Sequence, residues 1–252
     1  MFAVMPDSFL WLFAAVAGCC LGSFAGVVTY RLPRKISVIM PPSYCPECGS
    51  RLKWRDMIPV ISWLLLLGRS RCCGKAINVR YIIMEVSCAA LFLLMVRHTE
   101  GSLVFLPLWG LAFSMICISI VDWDTMEIPD GLVMIIAVSG VAWVTLSYGT
   151  AGWQNAIIGA LAGAISLIIL NWLVWLIVKQ PGLGYGDVKL MAAAGLFLGW
   201  QGVYAAFFTA FITGGVYGGY LIATGKAERR SYLAFAPFLS LGILVAFLFV
   251  TW

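Results

Sequence analysis

Two short segments of this sequence place acidic residues where a hydrolytic reaction needs them. The segment Val121–Asp130 (VDWDTMEIPD) follows a long apolar run, and Gly182–Asp187 (GLGYGD) precedes another. Carboxylates at the end of a membrane helix are costly and usually mark a functional path. Two carboxylates brought together can share one proton, so that one serves as general base toward water and the other as general acid toward a leaving amine. These residue types predict the chemistry of an aspartic protease.

Asp122 and Asp187 are the predicted catalytic pair. Asp122 ends a predicted helix, which holds its side chain rigidly, whereas Asp124 faces roughly the opposite way if the helix continues. Asp124 is therefore the second choice as the partner of Asp187. Asp130 precedes an apolar run and is predicted to be the N-cap of the next helix. A solvated loop with a helix cap is the alternative interpretation of the acidic cluster.

Three alternating glycines, at positions 182, 184 and 186, precede Asp187. Glycine adopts backbone conformations closed to other residues and lets another backbone approach closely. The loop around Gly184 and Gly186 is therefore predicted to receive an extended peptide beside the aspartate, with a flexible connector as the alternative. Lys189 either tunes the carboxylate or anchors the helix at the lipid head groups. Neither a G-x-S-x-G nor an H-E-x-x-H motif occurs, so the sequence does not contain the catalytic motifs of serine or zinc hydrolases.

Four cysteines lie in the one sizeable polar segment, residues 31–80: Cys45, Cys48, Cys72 and Cys73. A Cys-x-x-Cys turn followed later by more cysteines near a glycine is how small zinc ribbons are built. These four thiols are the predicted ligands of a structural zinc ion. The second pair is irregular, because a matching Cys-x-x-Cys would place a cysteine at Ser70. Free thiols in a self-packed loop and a redox pair are the alternatives.

The composition indicates the elements that must position these residues. Of the 252 residues, 62% are hydrophobic and 11% charged, which is more apolar surface than a soluble domain covers. A spanning helix needs roughly 20 mainly apolar residues. We predict an all-α integral membrane protein with about eight transmembrane helices and a cysteine-bearing cytoplasmic loop domain; the apolar stretch 58–67 is too short to span and is expected at the interface. The predicted spans are 9–30, 80–97, 103–121, 130–148, 154–178, 188–200, 203–223 and 233–251.

Charge placement predicts the orientation. Ten of the 16 lysines and arginines lie in 31–80, and only Arg97 falls on the opposite side of the predicted helices. The positive-inside rule then puts both termini outside and both acidic segments on the cytoplasmic side. The net charge of +5 reflects this asymmetry and attraction to anionic membrane lipid, and it does not indicate nucleic acid as a partner. The other basic residues on the predicted cytoplasmic side are Lys179, Lys189, Lys226, Arg229 and Arg230.

The segment Gly184–Lys189 resembles the G-x-G-D signature of intramembrane aspartic proteases, and most closely that of type IV prepilin peptidases. The resemblance covers nearly the whole chain, and the departures from the family pattern all lie in the N-terminal half, at Gly26, Met57, Ser70 and Ile82. The other matching segments are Gly22–Phe24, Val27–Pro33, Trp54–Asp56, Ile58–Val60, Ser62–Trp63, Gly68–Arg69, Arg80–Tyr81, Glu85, Asp122, Ile128–Asp130 and Ala236–Phe238.

The resemblance implies an enzyme that removes a short basic leader from prepilins or pseudopilins at the cytoplasmic face of the bacterial inner membrane. It assigns the catalytic aspartates to Asp122 and Asp187. Many members then methylate the new N-terminus with S-adenosylmethionine, an activity associated with the cysteine-bearing half. Glu85, with Arg80, is the candidate for that second site; a helix-packing role is its alternative.

The predicted domains follow from the same resemblance. Residues 1–30 form the first transmembrane helix, 31–79 the cysteine loop domain, and 98–252 the protease domain; 80–97 join the loop domain in the methyltransferase-associated half. A leader peptidase without methyl transfer is the first alternative function. A transporter that relays protons through the two aspartates is another, but transporters typically show inverted repeats and sites near mid-bilayer, and this sequence shows no convincing repeat.

Overall fold

The computed structural model describes residues 7–100, 102–179, 182–226 and 232–250, and these residues are helical apart from loops and isolated β-bridges. Among them, six helices are long and apolar enough to cross a membrane. The predicted all-α membrane fold is confirmed. Two of the basic residues used to predict the orientation, Arg229 and Arg230, lie outside the described residues. The helices are α1 (Asp7–Arg31), α2 (Ile61–Leu65), α3 (Arg80–His98), α4 (Phe105–Thr125), α5 (Asp130–Ser147), α6 (Trp153–Val178), α7 (Tyr185–Ala223) and α8 (Ala236–Phe249), with a 3-10 turn at Trp54–Met57.

Helix α7 folds back on itself at Gly199, whose φ of 64° and ψ of 178° interrupt the helix. A Cβ on Gly186 would lie 2.8 Å from Ile128, and the Tyr217 ring lies 5.7 Å from Trp123. A straight helix would separate positions 186 and 217 by about 46 Å, yet positions 123 and 128 are at most about 18 Å apart along the chain. Residues 185–198 and 200–223 are therefore two segments, so the eight predicted spans each correspond to a helical segment.

The chain divides into two compact units, residues 1–117 and 118–252. In the first, α1 packs on α3 through small residues: a Cβ on Gly18 or Gly22 would lie 2.5 Å from the Cα of Ala89 or Glu85, respectively. Such close backbone approach is typical of helix pairs in membranes, where hydrophobic exclusion supplies little attraction between helices. The short helix α2 exposes Leu65, and its interfacial position stays a prediction.

In the second unit, α6 and α7 cross where two glycines meet. A Cβ on Gly159 would overlap the carbonyl oxygen of Gly195, and a Cβ on Gly195 would overlap the carbonyl oxygen of Gly159. One turn further along α6, Gly163 faces the backbone of Met191 in the same way. This crossing attaches the first segment of α7, which carries Asp187, to α6.

Candidate active site

The two predicted catalytic aspartates are buried within the second unit. Asp122 is 6% exposed and Asp187 is 7% exposed. Helix α4 continues past its predicted end to Thr125, so Asp122 lies one turn inside that end, and Asp187 lies in the first turn of α7. The carboxylate of Asp187 is within electrostatic range of Asp122. Like charges near each other disfavour double ionisation, so a pair of this kind can carry one proton, as an aspartic protease requires.

Asp122 receives a hydrogen bond from the beginning of another helix. Its Oδ2 accepts the backbone N–H of Ala236, the first residue of α8, at 2.9 Å. The first N–H groups of a helix lack partners within it and carry partial positive charge, so they stabilise an anion. Sequence reasoning did not assign Ala236 a role in the site, although Pro237 marks a helix start.

Asp187 has one engaged and one unengaged oxygen. Its Oδ2 accepts the backbone N–H of Gly184 at 3.3 Å, and its Oδ1 is buried without a hydrogen-bond partner among the described residues. A buried carboxylate oxygen without a donor is energetically unfavourable. This oxygen has the capacity to accept a hydrogen bond from water or from a bound peptide.

Three charged residues near the pair, Asp124, Asp130 and Lys189, are exposed. Asp124 is exposed while Asp122 is buried, as the helical spacing predicts. Asp130 is the first residue of α5 and Pro129 occupies the N-cap position, so the predicted N-cap is wrong by one residue. Lys189 donates from Nζ to Asp130 Oδ1 at 2.8 Å, and both side chains are exposed. Lys189 thus links the start of α7 to the start of α5.

The glycine loop depends on close packing and not on unusual backbone angles. Gly184 has φ −73°, and none of the three glycines has a φ in the left-handed region, so the expectation of glycine-only conformations is wrong. Close packing occurs at two positions, but against side chains and not against another backbone: a Cβ on Gly182 would lie 2.6 Å from Val174, and one on Gly186 would lie 2.8 Å from Ile128. The approach of a peptide backbone to this loop stays a prediction. At Gly184 the nearest atom, Asp187 Oδ2, would be at an ordinary 3.5 Å.

The cysteine loop consists of two similar turns. In the first, the N–H of Cys45 bonds the carbonyl of Ser50 at 2.9 Å and the N–H of Gly49 bonds that of Cys45 at 2.9 Å. The second turn repeats the pattern. The N–H of Ser70 bonds the carbonyl of Lys75, and the N–H of Gly74 bonds the carbonyl of Ser70, both at 2.8 Å. Ser70 therefore occupies the place of the first cysteine, and Cys72 supplies the fourth sulfur from one residue before Cys73.

The four cysteines form a cluster that can hold a metal ion, because their sulfurs all lie within 4.8 Å of one another. Tetrahedral zinc with bonds of about 2.3 Å separates its sulfurs by about 3.8 Å. Cys45 and Cys73 are 3.9 Å apart, and Cys48 and Cys72 are 3.3 Å apart. The backbone N–H of Cys48 lowers the pKa of the Cys45 thiol to about 6, and the Ser50 hydroxyl lowers that of Cys48. Against the lowering by the Ser70 hydroxyl, the neighbouring sulfurs, Cys48 first, raise the pKa of the Cys72 thiol to about 11. The sulfur–sulfur distances therefore carry the fit to a tetrahedral metal, and low thiol pKa values support it at Cys45 and Cys48.

Glu85 is buried on α3 in the first unit. Its Oε2 accepts the backbone N–H of Val60 at 2.7 Å. Val60 has φ 61°, an uncommon conformation for a β-branched residue, and it caps α2. This contact matches the helix-packing alternative for Glu85, while Arg80 begins α3.

Two family models match the chain. One is described as the bacterial peptidase A24 N-terminal domain and matches residues 16–99; the other is the type IV leader peptidase family and matches 109–219. A Klebsiella pneumoniae protein named prepilin leader peptidase/N-methyltransferase is 39% identical, with 79% of this chain and 92% of that protein covered. A protein of the same name from Pseudomonas putida is 30% identical, with 98% of this chain and 93% of that protein covered. Another, from Pectobacterium carotovorum subsp. carotovorum, is 33% identical, with 92% of this chain and 91% of that protein covered. No solved structure gives a significant match.

Proposed function

The chain belongs to the type IV leader peptidase family, and from this premise we propose that it cleaves the leader peptide of prepilins or pseudopilins in the bacterial inner membrane. The observation that carries the proposal is the burial of Asp122 and Asp187 at two helix ends within electrostatic range of each other. A transporter reading has no comparable support, because the relatives are named as peptidases.

In the proposed mechanism the two aspartates act on a water molecule and on the scissile peptide. The ionised aspartate takes a proton from water, whose oxygen attacks the peptide carbonyl, while the protonated aspartate donates its proton to the leaving nitrogen. The C–N bond breaks, and one proton again remains on the pair, with no covalent intermediate. Ala236 holds Asp122 by its N–H, and Gly184 holds Asp187.

We place this reaction at the cytoplasmic face, with both chain termini periplasmic. Basic residues at the ends of the helices support that orientation through the positive-inside rule. In this arrangement the apolar helix of the substrate lies among the spans and its basic leader lies at the anionic membrane surface. The protease domain is assigned to residues 98–252, and the methyltransferase-associated half to residues 31–97.

A second activity, N-methylation of the new N-terminus, is proposed from the names of the relatives. S-adenosylmethionine would supply an electrophilic methyl group for the freed amine. The one hydrogen bond described for Glu85 holds Val60, and it does not outline a donor site. The assignment of Glu85 and Arg80 to methyl transfer stays a prediction.

A structural zinc ion is proposed for the cysteine cluster. Cys45, Cys48, Cys72 and Cys73 would hold it as four thiolates, which matches the closed coordination of structural zinc sites. The ion would join the two similar turns and so hold the cysteine loop in one conformation beside α2.

The test of the function is one reaction followed by intact-mass spectrometry. Purified protein in detergent is incubated with a prepilin-type substrate, with and without S-adenosylmethionine. Loss of the leader in both samples, with a gain of about one methyl mass only when the donor is present, is expected. Leader loss without methyl gain would leave a peptidase alone, and no cleavage by folded protein would contradict the proposal.

A further inference from the structure

The loop before Asp187 is held by a side chain from the preceding helix. Asn171 lies on α6, and its Oδ1 accepts the backbone N–H groups of Gly182 and Leu183 at 2.9 and 3.2 Å. The next N–H along the chain, that of Gly184, donates to Asp187 Oδ2 at 3.3 Å. Three successive backbone N–H groups are thus bound by two side chains, and one of those is the predicted catalytic carboxylate.

Packing strengthens the same attachment. Val174 lies three residues after Asn171, on the same face of α6, and a Cβ on Gly182 would come within 2.6 Å of its Cγ1. The loop therefore lies directly against this part of α6. Contact between the two is short enough that no larger side chain fits at Gly182 without a shift.

The position of Asn171 in the sequence also needs an explanation. Between residues 156 and 178, α6 is apolar except for Ser166 and Asn171. An amide within an apolar membrane helix is unfavourable unless its polar atoms are bound. The Oδ1 of Asn171 meets that requirement through the loop, and this contact gives a reason for an amide at this position.

We propose that Asn171 is a positioning residue for Asp187, an inference that rests on the proposed peptidase function. Asn171 fixes the backbone of residues 182 and 183, and the continuous chain passes this constraint to Gly184 and the carboxylate it binds. A displacement of about 1 Å at a catalytic group can lower a rate by about 100-fold. Asn171 itself does not contact the reacting atoms; it acts through the loop.

The test compares variants that keep or remove the acceptor oxygen. Asn171→Leu removes it and is expected to lower kcat by roughly 10- to 100-fold, with KM changed by less than about threefold, because substrate docking elsewhere is unaffected. Asn171→Asp retains an oxygen in the same place and is expected to keep kcat within about fivefold of wild type. If the leucine variant does not fold, Asn171→Ser, which is too short to reach the loop, replaces it.

Hydrogen–deuterium exchange gives a readout that does not depend on activity. In Asn171→Leu or Asn171→Ser, the amides of Gly182 and Leu183 are expected to exchange at least about tenfold faster, while amides inside α7 are unchanged. Ser166→Ala, which removes the other polar side chain of this part of α6, is the control and should alter neither kcat nor exchange.

The outcomes separate this inference from the function on which it rests. Failure of the wild-type protein to cleave would overturn the proposed function, and the exchange data would still decide whether Asn171 holds the loop. Cleavage by wild type with kcat and exchange unchanged in Asn171→Leu and Asn171→Ser would overturn the positioning role alone. Equal loss of kcat in Asn171→Asp would overturn it as well, because the acceptor oxygen would then not be what matters.

Discussion

At the scale of single residues, burial distinguishes the two aspartates that helical spacing alone left open. Asp122 is 6% exposed and bonded to Ala236, whereas Asp124 is exposed. The spacing of the two residues predicted that they face different ways. It did not identify the partner of Asp122, because a contact between positions 122 and 236 depends on the tertiary fold.

The glycines before Asp187 give a prediction at this scale. Gly186→Ala places a Cβ 2.8 Å from the branched side chain of Ile128, and overpacking of this kind costs about 1–3 kcal/mol. Gly184 has a φ of −73°, which alanine also adopts, and a Cβ there would lie at an ordinary distance from its nearest neighbour. The unfolding free energy of Gly184→Ala should therefore stay within about 0.5 kcal/mol of wild type. Thermal unfolding of the two variants in detergent is the measurement. Equal destabilisation by both would show that Ile128 is not what excludes a side chain at Gly186.

At the scale of elements, the similar turns of the cysteine loop explain an irregular motif. The sequence predicted the four ligands and showed that Ser70 stands where a cysteine was expected. It did not show how adjacent cysteines reach one site. The hydrogen bonds of the second turn place Ser70 at the position that Cys45 takes in the first, and its Oγ lies 2.9 Å from the sulfur of Cys72.

Moving the cysteine from position 72 to position 70 tests whether Ser70 stands in the place of a ligand. Cys72→Ser is expected to lower the zinc content from about one ion per chain to well below half, because a three-thiolate site is weaker. Adding Ser70→Cys to that variant should restore it. Metal analysis by mass spectrometry after dialysis is the measurement, and Cys88→Ser, at a buried position on α3, is the control. Unchanged zinc in Cys72→Ser would contradict ligation by Cys72.

The reversal of α7 at Gly199 marks a limit of prediction at the element scale. The apolar runs predicted two separate spans near residues 188–200 and 203–223, and the structure forms both. The turn between them needs only Gly199 in a left-handed φ, beside the Asn155 side chain, whose Nδ2 would lie 2.6 Å from an added Cβ. A single glycine in an apolar run gives no signal that distinguishes a turn from a helix packing site.

At the scale of the whole molecule, the chain forms two compact units, and a different family model matches most of each. The composition predicted the fold class because few arrangements satisfy the backbone of so apolar a chain in a membrane. Domain limits depend on which helices pack together, which composition does not specify. The proposed division of activities between the two halves can be tested directly.

Separate activities predict that each can be lost alone. Asp187→Asn should abolish leader cleavage, yet it should still methylate a substrate whose leader has already been removed, because methyl transfer needs no water activation by the aspartates. Intact-mass spectrometry with intact and pre-cleaved substrate, in the presence of S-adenosylmethionine, is the measurement. Failure to methylate the pre-cleaved substrate, in folded protein whose wild type does so, would contradict the division.

Asp122 and Asp187 are the proposed catalytic pair, and one set of cleavage rates can show whether both are required. Leader cleavage is measured for wild type, Asp122→Asn, Asp187→Asn and the matched control Asp124→Asn, with membrane insertion checked for each. No detectable product is expected from the first two variants, since neither has two carboxylates to share a proton. A near wild-type rate is expected from the control. Full activity in Asp122→Asn, or loss of activity in Asp124→Asn, would contradict the proposed pair.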